Sequence, residues 1–218
     1  MFAASNYARV GTADLAKAAG ISEPALYRYF PSKKDLFIST IKTAGKRLLD
    51  IWERLASEVI DPLEVIRAIG LGYYDHLRSR SPVMKLLFQA LSETDDEEIR
   101  QALYNNFAAF TRFLEENLEE GKRQGLIRQD VNPTVAAWQL MAFGLTLDLI
   151  HPLGFDEELN RSHVEEWQRL YLDSIRERAP GADKAAGRVV AKGFDRHMVE
   201  DWGDLYLDSI EEGTLGAD

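Results

Sequence analysis

Within the stretch Glu23-Pro24-Ala25-Leu26-Tyr27-Arg28-Tyr29 two tyrosines flank an arginine, and Lys33 and Lys34 follow shortly after. These residue types suit one kind of chemistry. A phenol hydroxyl donates to a phosphate oxygen, and a guanidinium either holds a phosphate or bonds a guanine edge bidentately. Ammonium groups at a helix start add charge where backbone amides are free to bind another phosphate. Glu23 is the acid of the group; its carboxylate would select a cytosine amino group and be repelled by phosphates. On the competing reading Tyr27 and Tyr29 pack against neighbouring helices and the lysines only solvate a surface.

The elements needed to present those groups are legible around them. Thr12 is placed to cap a first short helix, whose Leu15, Ala16 and Ala19 can face inward. Gly20 permits the left-handed backbone common at a helix end. Ile21 can plug the angle between helices. Ser22 caps the next helix, and Pro24 sits in its first turn, where a missing N–H costs little. Leu26 and Phe30 then face a core, leaving Glu23, Pro24, Ala25, Tyr27, Arg28 and Tyr29 on the outer face. This is the layout of a helix-turn-helix, which lays its second helix in the major groove of DNA. Ser32-x-x-Asp35 is a capping-box-like start for a third helix. Phe37, Ile41, Ala44, Leu48, Ile51, Leu55 and Val59 give that helix one apolar stripe over 32–59.

Over roughly residues 2–50 the chain resembles the TetR family of ligand-responsive transcriptional regulators, most closely in AKAAGISEPALYRYFPSKKDLF. The resemblance implies that Thr12, Tyr27, Tyr29 and Lys33 hold phosphates, and that Pro24, Ala25 and Arg28 approach base edges. Ser22, Glu23 and Lys34 complete the expected DNA-binding set. It further implies a homodimer paired through the last two helices of the body, a double-stranded DNA operator and a small-molecule effector. Family members usually begin with a full helix ending in a phrase like Phe-Ala-x-x-Gly-Tyr; here Met1-Phe2-Ala3-Ala4-Ser5-Asn6-Tyr7 matches only its end. A truncated first helix would leave the core around Leu15, Leu26 and Phe30 less covered, so a loosened head is expected.

Composition bounds the remaining possibilities. Residues 1–50 hold eight Lys/Arg against four acids, whereas the rest of the chain carries 18 and 32, so a basic head precedes an acidic body within a net charge of −10. Such asymmetry steers one end of a molecule towards phosphates. The absence of cysteine excludes disulfides, thiolate metal sites and cysteine nucleophiles, and suits a cytoplasmic protein. The longest apolar run, Val135 to Ile150, carries Gln139, Thr146 and Asp148 and reads as a buried helix, with no membrane partner. His76, His151, His163 and His197 lack metal-ligand spacing, and no phosphate loop or catalytic constellation stands out. No metal, cofactor or enzymatic activity is expected.

The whole chain reads as all-α: a helix-turn-helix domain over 1–50 and a helical ligand-binding and dimerisation body over 51–218. Asp61-Pro62, Ser81-Pro82 and Asn132-Pro133 each join a capping side chain to a first-turn proline. The acids Asp95 to Glu98 suit the first turn of a helix striped by Ile99, Leu103, Phe107, Phe110, Leu114 and Leu118. Tyr73, Tyr74, His76, Phe88, Phe107, Phe110, Trp138, Met141 and Phe143 could line an effector cavity; at helical spacing they equally suit plain core. Residues 164–177, VEEWQRLYLDSIRE, recur at 199–212 as VEDWGDLYLDSIEE, with ten of fourteen positions identical. The second copy could extend a dimer interface, cover an exposed patch, or be a tolerated addition. The functional expectation is a repressor released from its operator by a small apolar or aromatic effector. The alternative is a helical interaction or ligand-binding module whose head no longer binds DNA.

Overall fold

The computed structural model describes residue 2, residues 7–78 and residues 82–177. Eight α-helices run through them: α1 (Thr12–Ala18), α2 (Glu23–Tyr29), α3 (Lys33–Glu58), α4 (Pro62–Arg78), α5 (Pro82–Ser92), α6 (Glu97–Arg123), α7 (Pro133–Leu153) and α8 (Arg161–Ile175). Among the described residues there is no strand, and an isolated antiparallel bridge joins Ile127 to Arg176. The fold is all-α.

Side chains set the helix starts. Ser22 Oγ accepts from the Ala25 N–H at 3.3 Å, and Ser32 Oγ accepts from the Asp35 N–H at 3.1 Å while donating to Asp35 Oδ2 at 2.7 Å. Asp61 caps α4 through the Leu63 N–H at 2.8 Å, and Asn132 caps α7 through the Val135 N–H at 3.2 Å. Asp96 receives the Glu98 and Ile99 amides at 2.9 and 3.3 Å, so the acidic run does serve as capping chemistry. Ser81 lies outside the described residues. Gly20, after α1, has φ +69°, a conformation that L side chains rarely adopt. Thr12 departs from expectation: Gly11 is the N-cap of α1 and makes no side-chain bond, while Thr12 is the first helical residue. Its hydroxyl is thereby released to reach across to α2.

By internal contacts the chain divides into two compact units, Met1–Arg54 with Arg80–Phe110 and Leu55–Ser79 with Thr111–Asp218. The first groups α1, α2 and most of α3 with α5 and the first half of α6, a grouping that a linear division at residue 50 does not express. Phe37 is fully buried at its centre, with Phe2 edge-on at 5.1 Å and Tyr7 stacked at 4.3 Å between ring centroids. Leu15, Ala16, Leu26, Ile38 and Ile41 close around it with Leu86, Ala90, Ile99 and Leu103. Leu15 and Leu26 are only 8% and 5% exposed, so the expected gap in this core is absent there. The residues from α5 and α6 provide cover that local sequence reasoning did not assign. Ala19 and Ile21 are exposed, Ile21 to 38%, so neither packs between the helices as expected.

In the second unit α4 packs against α7 and α8. Phe143 meets Trp167 edge-on at 4.3 Å, and the Tyr171 hydroxyl donates to the Ala136 carbonyl at 3.0 Å. Gly70 leaves room for the Gln168 side chain of α8: a Cβ there would lie 1.6 Å from Gln168 Nε2, which would have to turn aside. Ile127 is fully buried and held by the Arg128 N–H to Ile175 O bond at 3.0 Å. By length and composition alone Pro133–Ile150 could span a membrane, against the sequence expectation. It packs on α4 and buries Asp148, yet only 39% of the segment is buried, so the buried helix expected from the sequence is buried on one side alone.

Asp148 is 3% exposed, and its Oδ1 accepts the Tyr73 hydroxyl at 2.6 Å. Burial raises its carboxyl to about 6, with the Tyr73 bond opposing the shift. A folded-state pKa above the unfolded one means that the native state holds the proton more tightly. The favourable contribution is therefore complete at low pH and is lost as pH rises from about 4 to about 6. Asp148→Asn keeps an acceptor for Tyr73 and removes the charge. The variant is expected to be more stable than the native chain above pH 6, by up to about 3 kcal/mol. That advantage should vanish towards pH 4. Urea denaturation at both pH values measures it, and coincident curves at pH 7.5 would refute it.

Candidate nucleic-acid interface

The α2 helix is seven residues long, too short to persist alone, so its position is imposed by the core beneath it. Leu26 anchors it at 5% exposure, with Phe30 partly buried beside the same core. Pro24, Tyr27 and Arg28, at helical spacing, then share the outward side. Tyr27 is 46% exposed and Tyr29 57%, so neither is a core residue. Arg28 is also exposed. The face can therefore offer the Arg28 guanidinium and the Tyr29 phenol to a ligand without repacking.

Glu23 is tied into this face. Its carboxylate accepts the Thr12 hydroxyl, and Thr12 Oγ1 in turn accepts the Tyr27 hydroxyl at 3.2 Å. The chain Tyr27–Thr12–Glu23 links the starts of α1 and α2 and fixes where the carboxylate sits. It leaves Glu23 half-buried, able to accept from an exocyclic amino group but unsuited to a phosphate. Ser22 is occupied as the cap of α2, and Ala25, half-buried, provides that capped amide.

The two lysines are placed differently. Lys33 Nζ donates to the carbonyls of Tyr7 and Val10 at 2.9 and 3.3 Å and lies 4.7 Å from the centre of the Tyr7 ring. It fastens the segment before α1 to the start of α3. Gln89 fastens the same segment from α5, accepting the Tyr7 N–H at 3.0 Å and donating to the Phe2 carbonyl at 2.8 Å. Lys34 pairs with Glu98 at 2.6 Å and Asp96 at 3.2 Å. The Glu98 and then the Asp96 carboxylate hold the Lys34 pKa above its ordinary value. Desolvation alone would raise the Asp96 carboxyl; the Lys34 bond and the Ile99 and Glu98 amides outweigh it and leave the group below its usual range. Gln89, Asp96 and Glu98 were not identifiable as supports from sequence, because more than sixty residues separate them from the groups they hold.

The effector candidates are divided between the two units. Phe88 is 39% exposed on α5, while Phe107 lies 6.4 Å from Phe110, which packs against Trp52 at 5.1 Å in the first unit. In the second unit Tyr73 binds Asp148, the Tyr74 hydroxyl points to the Leu159 carbonyl at 3.5 Å, and burial lowers the pKa of His76. Met141 is buried and Trp138 is 52% exposed. Phe143 is the one candidate that lines the pocket of about 200 Å³ formed with Gln139, Leu140, Trp167, Gln168 and Tyr171. Among the described residues no cluster of His, Asp or Glu could hold a metal ion.

The family model for bacterial regulatory proteins of the tetR family matches residues 1–40, the segment that carries this surface. A nucleoid occlusion factor SlmA from Marinomonas sp. is 31% identical over 139 residues, covering 62% of this chain and 66% of its own length, just under two thirds. One from Vibrio atlanticus is 31% identical over 134 residues, covering 61% of this chain and 68% of its own length. The transcriptional regulator FadR from Bacillus subtilis, solved with stearoyl-CoA, superposes with a TM-score of 0.63 at 18% identity, over 79% of this chain and 90% of its own; at that identity it shows the fold alone. With the family model falling on the helix-turn-helix and a relative matched over more than two thirds of its length, this chain belongs to the tetR family of bacterial regulatory proteins.

Proposed function

We propose that the chain is a dimeric, cytoplasmic repressor of transcription that binds a double-stranded operator through α2 and is released by a small apolar or aromatic effector. The observation that carries the reading is the outward face of α2, where Tyr27, Arg28 and Tyr29 stand exposed above a packed core. In this reading Arg28 reads a base edge with Pro24 and Ala25 beside it, and Thr12, Tyr27 and Tyr29 serve the backbone. Lys33 and Lys34 act at close range as charges whose first role is to hold the head together.

One recognition helix binds weakly, and two on a dimer multiply specificity across paired half-sites. What supports dimerisation is α7, where Val135, Trp138, Leu145 and Leu149 are 56%, 52%, 39% and 46% exposed at spacings that bring them to one side of the helix. The pocket lined by Phe143, Trp167 and Tyr171 supports a small aromatic effector, since about 200 Å³ is below the roughly 300–1,000 Å³ usual for drug-sized ligands. Such a molecule would release DNA only by binding one arrangement of the dimer better than the other. Similarity to nucleoid occlusion factors favours a second reading, in which the chain serves nucleoid occlusion and not repression of a gene.

Titration with DNA flanking the chain's own gene, at several salt concentrations, separates these readings. Affinity that falls steeply with salt supports either DNA-bound reading; release by small aromatic molecules supports the repressor, and no DNA binding at all would leave a helical ligand-binding module. Arg28→Ala should weaken specific binding by about 1–3 kcal/mol and relax preference at one base pair. Tyr29→Phe should weaken binding alike on all sequences. Glu23→Gln should alter preference at a single position with the salt dependence unchanged; an unaltered preference would remove Glu23 from the reading set. Trp138→Asp with Leu145→Asp should yield a monomer by sedimentation and cut operator affinity at least tenfold, and a variant that stays dimeric would refute this face.

A further inference from the structure

A phosphodiester oxygen has no proton, so a hydroxyl can hold it only by donating, and each hydroxyl has a single proton to donate. Under the proposed function Thr12 and Tyr27 serve the DNA backbone, yet both protons are already committed within the chain. The Thr12 hydroxyl donates to the Glu23 carboxylate, and the Tyr27 hydroxyl donates to Thr12 Oγ1 at 3.2 Å. The order of these bonds is fixed from one end. A carboxylate can only accept, so Thr12 must donate to Glu23. Thr12 then has only lone pairs to offer Tyr27, and Tyr27 must donate in turn. Tyr29 differs: it is 57% exposed, and among the described residues its hydroxyl has no partner.

Glu23 gains from this arrangement what a base reader needs. It opens α2 with a long side chain of several rotatable bonds, which unrestrained would occupy several rotamers and lose that freedom on meeting a base. The Thr12 bond selects one position for the carboxylate. Tyr27, one helical turn along α2, holds Thr12. Thr12 itself opens α1, and Leu15 of α1 shares a core with Leu26 of α2, so the anchoring hydroxyl is a fixed reference for the acid. Glu23 Oε1 takes the Thr12 proton, and Oε2 has no partner among the described residues. One oxygen is thus clamped and the other is left for a donor from outside.

We propose that Thr12 and Tyr27 are positioning residues for Glu23. They hold its carboxylate where Oε2 accepts the exocyclic amino group of a cytosine in the major groove. Their effect falls on sequence preference, and of the three hydroxyls only that of Tyr29 grips the backbone. The proposal rests on the reading of α2 as the DNA-binding helix, and it narrows the backbone contacts of that reading.

Selection by the full chain from a pool of randomised duplexes tests it. Sequencing of the bound fraction gives the preferred bases, and Glu23→Gln marks the position that Glu23 reads. Thr12→Val is expected to cut the preference at that same position by about fivefold or more. Tyr27→Phe should cut it by a smaller factor, and Thr12→Ser should restore it. Added to Glu23→Gln, Thr12→Val should change the preference no further. Tyr29→Phe should leave every preference intact while weakening all sequences alike. Should Thr12→Val fold poorly, as its thermal midpoint would show, Tyr27→Phe on the exposed side of α2 carries the same test. A preference at the Glu23 position that survives loss of either hydroxyl would overturn the proposal, whether or not binding weakens on all sequences. So would a set of preferences that Glu23→Gln leaves unchanged. A native chain that enriches no sequence overturns the reading of α2 as well.

Discussion

The burial of Phe37 is the constraint on which the placement of α2 and its outer face depends. A seven-residue helix has too few internal hydrogen bonds to offset the ordering of its own backbone, so α2 exists only where Leu26 is held. Phe37 lies at the start of α3 with Phe2 and Tyr7 against it, and Leu15 and Leu26 pack into the same cluster. That arrangement sets the placement of α1 against α2. Once it is set, every side chain of α2 that cannot reach the core is committed to the outside. The chemistry of Tyr27, Arg28 and Tyr29 follows from packing on the opposite side of the helix.

Charge is distributed with the same economy. Lys33 and Lys34 read in the sequence as free cations beside a DNA motif, yet each has an internal task. Lys33 closes two carbonyls of the segment before α1, and Lys34 joins α3 to the start of α6 through Glu98 and Asp96. A phosphate reaching either lysine would compete with partners already in place. Arg28 has no such ion pair among the described residues, which leaves its guanidinium open on the outer face of α2.

The second unit shows the cost of polar groups in a packed interior. Asp148 is buried with one hydroxyl as donor, and Gln168 is buried with an unpaired oxygen. Neither improves packing over an apolar residue of similar size, because a desolvated polar group must be fully bonded to break even. Both lie on helices that also carry exposed apolar residues, Val135 to Leu149 on α7 and Leu170 on α8.

Much of this was legible before any coordinates. Local signals were strong where a single side chain decides a local conformation: Ser22, Ser32, Asp61 and Asn132 cap their helices, Gly20 turns the chain, and the apolar stripes bury the expected faces. They were weakest where a choice between equivalent neighbours depends on distant residues. Thr12 could cap its own helix or reach Glu23 and Tyr27, and only the approach of α2 decided for the second. Gln89 and Asp96 became supports of the head because folding brings them beside residues more than sixty positions away. Nine aromatic and polar candidates could not be sorted into core and pocket, since periodicity reports which face a residue occupies and not what meets it. The sequence by itself determined the helical elements and the composition of the outer face of α2, and through that face its resemblance to the family. The tertiary structure decided which of those groups are free, because hydrogen bonds and ion pairs act over a few ångströms and sequence separation does not measure that distance.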